Sequence, residues 1–225
     1  LVRGFSGFGA ALVFMPAAAG LVGPTTAVAA LWLLDALGSL QLAPWAVRRC
    51  DRRAVARLAA GVVVGLPLGV FALVASDPAA LRWGVCLAAL VAFGLVASGR
   101  RWRGAPPPGA EAGVGLLSGF GGGVAGLSGV APVLFHLGRD AEPERLRADV
   151  AALFLVSFPL GGALFAWNGL FTARAVGLGL LLAPVYAIGV RAGIALFPRA
   201  PARLFRGLAL VMVGASVTAG LPVFD

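Results

Sequence analysis

Two short stretches carry the residues best suited to chemistry. "GFSGFG" sets Ser6 among Gly4, Gly7 and Gly9, and "GLSGVAP" sets Ser128 among Gly126, Gly129 and Pro132. Glycine permits tight backbone geometry and close approach by a ligand, and proline removes an amide donor and favours a helix start or kink, as at Pro16 and Pro132. A helix broken at such a turn frees backbone N–H groups and presents a positive dipole end, which suits an anion. Ser6 and Ser128 would add hydroxyl donors. The competing reading is close packing of continuous helices through small residues.

Three ionisable residues lie within apolar runs: Asp35 in "ALWLLDALGSL", Arg191 in "APVYAIGVRAGIALF" and His136 in "PVLFHLG". Charges in such surroundings usually face a cavity or a partner. Arg191 would balance an anionic substrate, and Asp35 would take up a proton and couple movement to a proton gradient. Alternatively Asp35 pairs with an arginine for structure, and Arg191 snorkels to an interface. His136, near the end of its run, reads as a structural histidine rather than a relay.

A serine in Gly-x-Ser-Gly also brings intramembrane proteolysis to mind, which needs a base within reach of the nucleophile. The single histidine, His136, follows Ser128 by eight residues, about 12 Å along a continuous helix. The same motif at Gly4 has no histidine after it, so duplication explains the serines better than catalysis. No enzyme is expected. The chain has no lysine and hence no Walker motif. Cys50 and Cys86 lack metal-ligand spacing, and no cofactor or metal cluster is expected.

These residues must be positioned by elements that live in lipid. Hydrophobic residues make up 60% of the chain and charged residues 12%, and mean hydropathy is +0.96. A soluble domain of this size cannot hide so much apolar surface. All 18 basic residues are arginine, giving a net charge of +9. They fall in short connections between apolar runs, which points to membrane orientation rather than nucleic acid. On a simple alternation of spans, one side, read as cytoplasmic, collects Arg48, Arg49, Arg52, Arg53, Arg57, Arg100, Arg101, Arg103 and Arg174, and the other collects Arg82, Arg139, Arg145, Arg147, Arg199, Arg203 and Arg206, a bias clear in the first half only.

A spanning helix needs about 20 mostly apolar residues. Eight runs qualify, near 5–22, 25–47, 55–76, 81–98, 112–137, 150–171, 175–197 and 204–223. "RRWRGAPPPG" is the one long connector, and the charged "GRDAEPERLRAD" reads as a solvated link. Trp167 and Asn168 end the sixth run, where an interfacial anchor is expected.

The chain repeats itself. "GFSGFGAALV" aligns with "GLSGVAPVLF" at an offset of 122 residues, and "VAALWLL" falls on "VAALFLV" at the same offset. Gly65 and Gly69 stand opposite Gly189 and Gly193. The fold class is therefore all-α: a polytopic membrane protein of about eight transmembrane segments in two duplicated four-segment halves with Gly-rich broken helices. The halves are 1–99 and 112–225, joined by an Arg/Pro-rich linker at 100–111, and by the repeat the first copy lacks about half a helix at its start. Four full spans per half would make the halves parallel; a re-entrant segment would make them inverted. A dimer contact through Gly65 and Gly69 and packing within one chain explain those glycines equally well.

"GFSGFGAALVFMP", "GLSGVAPVLFHL", "RADVAALFLVS" and the glycine-spaced helix ahead of "PARLFRGL" resemble the TauE/SafE sulfite exporter family, in order and in both halves. The resemblance implies a multi-pass permease of the bacterial inner membrane for sulfite, organosulfonates or related small anions. Where members commonly carry a Gly-Gly-Pro-Pro turn, this chain reads Val130-Ala131-Pro132. The expected site lies between the two turns: Gly4, Ser6, Gly7, Gly9, Gly126, Ser128, Gly129, Pro132 and Arg191 for the anion, with Asp35 for coupling. The expected partners are a small anion and the bilayer, and a passive anion channel is the nearest alternative.

Overall fold

A computed structural model describes residues 2–98, 109–137 and 142–196. Among these the chain is entirely helical: α1 (Val2–Ser6), α2 (Ala10–Val22), α3 (Pro24–Arg49), α4 (Arg52–Ala75), α5 (Pro78–Ser98), α6 (Ala110–Ala125), α7 (Val130–Leu137), α8 (Pro143–Trp167) and α9 (Ala173–Leu196). Seven of the eight expected runs correspond to these helices. The run at 204–223 and most of the linker, 100–108, lie outside the described residues, while Ala110 and Glu111 already belong to α6.

Local chemistry sets the boundaries. Pro24 and Pro143 begin α3 and α8, where a missing N–H costs nothing. Asp51 caps α4 by accepting from the amides of Arg53 at 3.0 Å and Ala54 at 3.3 Å. Asp77 caps α5 in the same way through Ala79 and Ala80. Both glycine-serine stretches interrupt their runs, as expected: Gly7 and Gly9 (φ 80° and 87°) separate α1 from α2, and Gly126 (φ 69°) separates α6 from α7. Those backbone angles are strained for residues with a Cβ.

Helices α3, α4, α8 and α9 are long and apolar enough to cross a membrane. Large apolar side chains such as Phe71 and Leu181 lie more than 70% exposed, which only lipid makes comfortable. Helix α3 is the most buried of the four. It buries residues on most of its circumference, from Pro24 through Leu31, Leu34 and Leu42 to Ala46, and so runs through the middle of the bundle.

The order of contacts gives helix directions. Trp32, early in α3, stacks on Phe158 and touches Phe165 late in α8. Arg49, at the end of α3, pairs with Glu144 at the start of α8. The two helices are therefore antiparallel. Helices α4 and α6 are parallel: Arg57 pairs with Glu111 at 2.8 Å, Gly115 faces Leu58, and Gly69 faces Gly123. The starts of α4, α6 and α8 thus gather at one end of the bundle, where Arg145 also bonds Asp51 at 2.7 Å. At this end His136, near the C-terminus of α7, lies 3.7 Å from Asp149. Helix α6 leaves this end, breaks at Gly126, and α7 comes back to it.

That return corrects the arginine tally. Arg145 and Arg147 stand at the same end as Arg48, Arg49, Arg52, Arg53 and Arg57. Arg174 opens α9, whose Gly179 packs on Leu33 and Ala30 in the first half of α3, at the opposite end. Simple alternation misassigned these because it counted α6 and α7 as one crossing.

The α4–α6 seam answers the question of Gly65 and Gly69. A Cβ added at Gly61, Gly65 or Gly69 would fall 2.0–2.3 Å from the carbonyl oxygens of Ala112, Leu116 or Phe120. The two backbones touch, as small-xxx-small spacing allows, and these glycines are used within the chain. The same holds across α1 and α9, where a Cβ at Gly4 would meet the Val190 carbonyl at 1.9 Å.

Candidate functional site

The two breaks meet in the centre of the bundle. Gly129 packs against Phe8, and Gly126 packs against Leu31 and Ala11. A small cavity there is lined by Arg3, Gly9, Asp35, Gly126, Gly129 and Phe154, with the first residues of α2 and Val130 of α7 completing it. A second small cavity beside it shares Asp35, Gly126 and Phe154 and adds Trp32, Ser128 and Phe158. Both α2 and α7 therefore open their N-termini toward one buried space. Each helix N-terminus carries about half an elementary charge, so the pair supplies roughly one positive charge.

Two buried arginines brace this centre. Arg3 donates to Ser39 Oγ at 2.9 Å, lies 3.6 Å from Asp35 Oδ1, and stacks on the Phe154 ring at 3.8 Å. Asp35 also accepts from the Tyr186 hydroxyl. With Arg3 and Asp35 opposed, their formal charges cancel. Arg147 donates to the Gly4 carbonyl at 2.5 Å and lies over the Trp45 ring at 4.7 Å. It thereby satisfies a carbonyl at the C-terminal side of α1 that the helix itself cannot. The carbonyl of Ser128 accepts from Ser118 Oγ at 2.5 Å, which pins the second break onto α6.

Of the residues expected at the site, Gly9, Gly126, Ser128, Gly129 and Asp35 line the two cavities. Ser6 ends α1. Gly4 packs on α9, Gly7 packs on Arg147, and Pro132 is buried within α7. Arg191 is exposed on α9 and lines neither cavity. The cation beside the breaks is Arg3, which sequence reasoning passed over together with Trp32, Phe154 and Arg147. A signal existed for Arg3: at the repeat offset its counterpart is Ala125, so a charge adjoins one glycine turn and not the other. Asp35 likewise aligns with Ser157, whose hydroxyl is spent on the Leu153 carbonyl of its own helix at 2.9 Å. A larger groove, about 570 Å³, runs between α2 and α9, but it is walled by apolar side chains such as Phe14, Leu178 and Leu182 and shares little with the breaks beyond Arg3. Its chemistry suits lipid better than a charged solute. Among the described residues no group of His, Cys, Asp and Glu is arranged to hold a metal.

Outside the spans, the junction of α3 and α4 carries its own electrostatics. The Ala54 amide first, and Arg145 after it, hold the Asp51 carboxyl below the usual carboxylate range. Burial first, and the neighbouring Asp149 next, push the Cys50 thiol up.

Apolar spans, helices broken at glycine in mid-bundle and a buried polar centre define a multi-pass membrane protein of the transporter class. Residues 1–219 match the family described as Sulfite exporter TauE/SafE, and the chain belongs to that family of membrane transporters. It is 28% identical over 231 aligned positions to the "Probable sulfite/organosulfonate exporter TauE" of Cupriavidus necator, an alignment covering 98% of this chain and 89% of that protein. No solved structure matches the chain.

Proposed function

We propose that the protein is a secondary carrier of small monoanions of the sulfite or organosulfonate type, binding them where the two helix breaks meet. The observation that carries this reading is the convergence of the α2 and α7 N-termini on a cavity beside Arg3 and Asp35. Their partial charges match one anionic charge, and backbone amides recognise oxyanions without needing a particular side chain.

Coupling follows from the Arg3–Asp35 pair. With Asp35 ionised, Arg3 is neutralised and the site holds the roughly one positive charge of its helix ends. Protonation of Asp35 releases Arg3 and adds a full charge, which favours anion occupancy. Anion and proton would thus move together.

The antiparallel packing of α3 on α8 supports inverted halves, since these helices are repeat counterparts. The first half then comprises a re-entrant broken pair, α1–α2, and the crossings α3, α4 and α5, and the second opens on the broken pair α6–α7 followed by α8 and α9. An odd number of crossings inverts the second copy. Exchange between halves fits the same scheme: α4 of the first half grips α6 of the second, and α9 of the second grips α1 of the first. The arginine-rich end would face the cytoplasm of a bacterial inner membrane.

The test is flux in proteoliposomes, with labelled sulfite, sulfate, methanesulfonate and acetate compared with and without a pH gradient. Saturable uptake of a sulfur oxyanion, driven uphill by the gradient, is the expected result. Movement that never exceeds equilibrium would describe a channel, and no movement of any anion by folded protein would refute the reading.

A further inference from the structure

Trp32 is only 6% exposed, and its indole N–H is buried without a hydrogen-bond partner. Such a donor is costly to bury and calls for an explanation. The ring itself is tightly held. It stacks on Phe158 with centroids 5.5 Å apart, tilts against Phe165 at 5.0 Å, and lies across Gly161, where an added Cβ would fall 2.0 Å from the indole. Glycine there makes room for the full bicyclic ring. The same ring walls the cavity that contains Asp35, Gly126 and Ser128.

The repeat shows that packing does not require this N–H. At the offset of 122 residues, Trp32 aligns with Phe154. Phe154 walls the same cavity with a ring that has no donor, and its face is taken by Arg3. One copy therefore uses its aromatic to seat a cation, while the other sets beside the cavity an aromatic whose buried N–H has no partner.

Resting on the function proposed above, we infer that the Trp32 indole N–H is a substrate donor: it hydrogen-bonds an oxygen of the anion from the α3 wall, and the aromatic stack fixes its direction. Trp32 is then a binding residue that contributes to affinity and selects ligands whose oxygens reach past the helix ends. Halide, which can sit at the helix N-termini alone, gains less from it than a three-oxygen sulfonate.

The test compares wild-type protein, Trp32→Phe, and protein with benzothienylalanine at position 32, which keeps the bicyclic shape but replaces N–H with sulfur. KM and maximal rate for sulfite and methanesulfonate are measured in proteoliposomes, and the rise in Tm caused by each anion, and by chloride, is measured in detergent. The expected result is KM raised about tenfold in both variants, as loss of one hydrogen bond to a charged group predicts. Maximal rate should stay within about twofold, since a ground-state contact mainly affects KM. The rise in Tm with sulfonate should shrink while that with chloride is unchanged, and the benzothienylalanine protein without anion should melt no lower than wild type. Unchanged KM and unchanged anion stabilisation in the benzothienylalanine protein would overturn the inference and leave Trp32 a packing residue, with the transporter reading intact. Wild-type protein that neither binds nor moves any oxyanion would overturn both.

Discussion

Replacing Asp35 with asparagine tests the charge balance at the breaks. In the folded protein Arg3 is 2% exposed and its Nε lies 3.6 Å from Asp35 Oδ1. At an effective dielectric near 20, that separation corresponds to an attraction of about 4–5 kcal/mol. Removing one partner of a buried pair typically costs about 3–5 kcal/mol, because the other charge stays buried. Asp35→Asn should therefore lower Tm markedly in anion-free detergent. It should also bind the substrate anion more tightly, since the unpaired Arg3 welcomes a negative charge. Titration with methanesulfonate should raise the variant's Tm by more than the wild type's, closing part of the gap, as linkage requires of a ligand that prefers the variant's charge state. In proteoliposomes the variant should exchange anion across the membrane but lose uphill uptake driven by a pH gradient. Arg3→Gln in the Asp35→Asn background should recover stability relative to Asp35→Asn alone, with coupling of the sign a direct pair demands. Two results would refute the reasoning. Unaltered gradient-driven uptake would remove Asp35 from coupling. Equal anion stabilisation of variant and wild type would show that Arg3 does not sense the bound charge.

Other positions separate scaffold from site. Gly65→Leu would drive a side chain into the Leu116 carbonyl, 2.1 Å from where its Cβ must sit; monodisperse protein after size exclusion should fall steeply, with transport lost only in proportion. Gly129→Leu meets Phe8 Cβ at 2.6 Å, an atom that no rotamer change moves, so the first break must shift where it faces the cavity; flux should fall at least tenfold, about 1.4 kcal/mol in the transition state, and folded yield should fall less steeply than at Gly65, where the clash is with helix backbone. Equal losses of yield and flux at Gly129 would mean that the breaks only pack. Asp51 offers a pH signature. Its folded-state pKa is depressed by the Ala54 amide and Arg145, so its contribution is present above the unfolded value near 3.9 and is lost as pH falls through the lower folded value. Asp51→Asn should flatten that part of the Tm–pH curve in acid while keeping much of the α4 cap. A wild-type curve no steeper than the variant's would discount the junction.

Most of the helices were legible because lipid imposes a crude rule. Apolar length finds helical runs: seven described runs fell on helices, four of them long and apolar enough to span, and two of them broken pairs. Both breaks were legible as well, from glycine around serine, because only glycine tolerates the left-handed turns at Gly7, Gly9 and Gly126. Direction was not legible. Whether α7 continues or returns depends on which partner α8 finds, and that is decided by contacts such as Arg49 with Glu144 and Trp32 with Phe165, which join residues about a hundred or more positions apart. Site membership failed for the same reason. Arg191 and Arg3 are both arginines within two residues of a glycine, but α9 turns Arg191 outward, while α1 turns Arg3 inward against Ser39 and Asp35.

The contrast between repeated backbone and unrepeated side chains bears on mechanism. Glycines stand at both breaks because each must turn the chain through left-handed backbone angles. The polar groups at the centre do not recur: Arg3 aligns with Ala125, Trp32 with Phe154 and Asp35 with Ser157. A carrier needs two halves similar enough to exchange conformations, so that inward and outward states are close in energy. It needs only one binding site and one titrating group. A second such pair at the aligned positions would place four charges around the same small cavities, and each would be costly to bury. Installing the missing partners, Ala125→Arg with Ser157→Asp, should therefore depress folded yield without raising transport, whereas the same two substitutions at an exposed pair of positions should be tolerated.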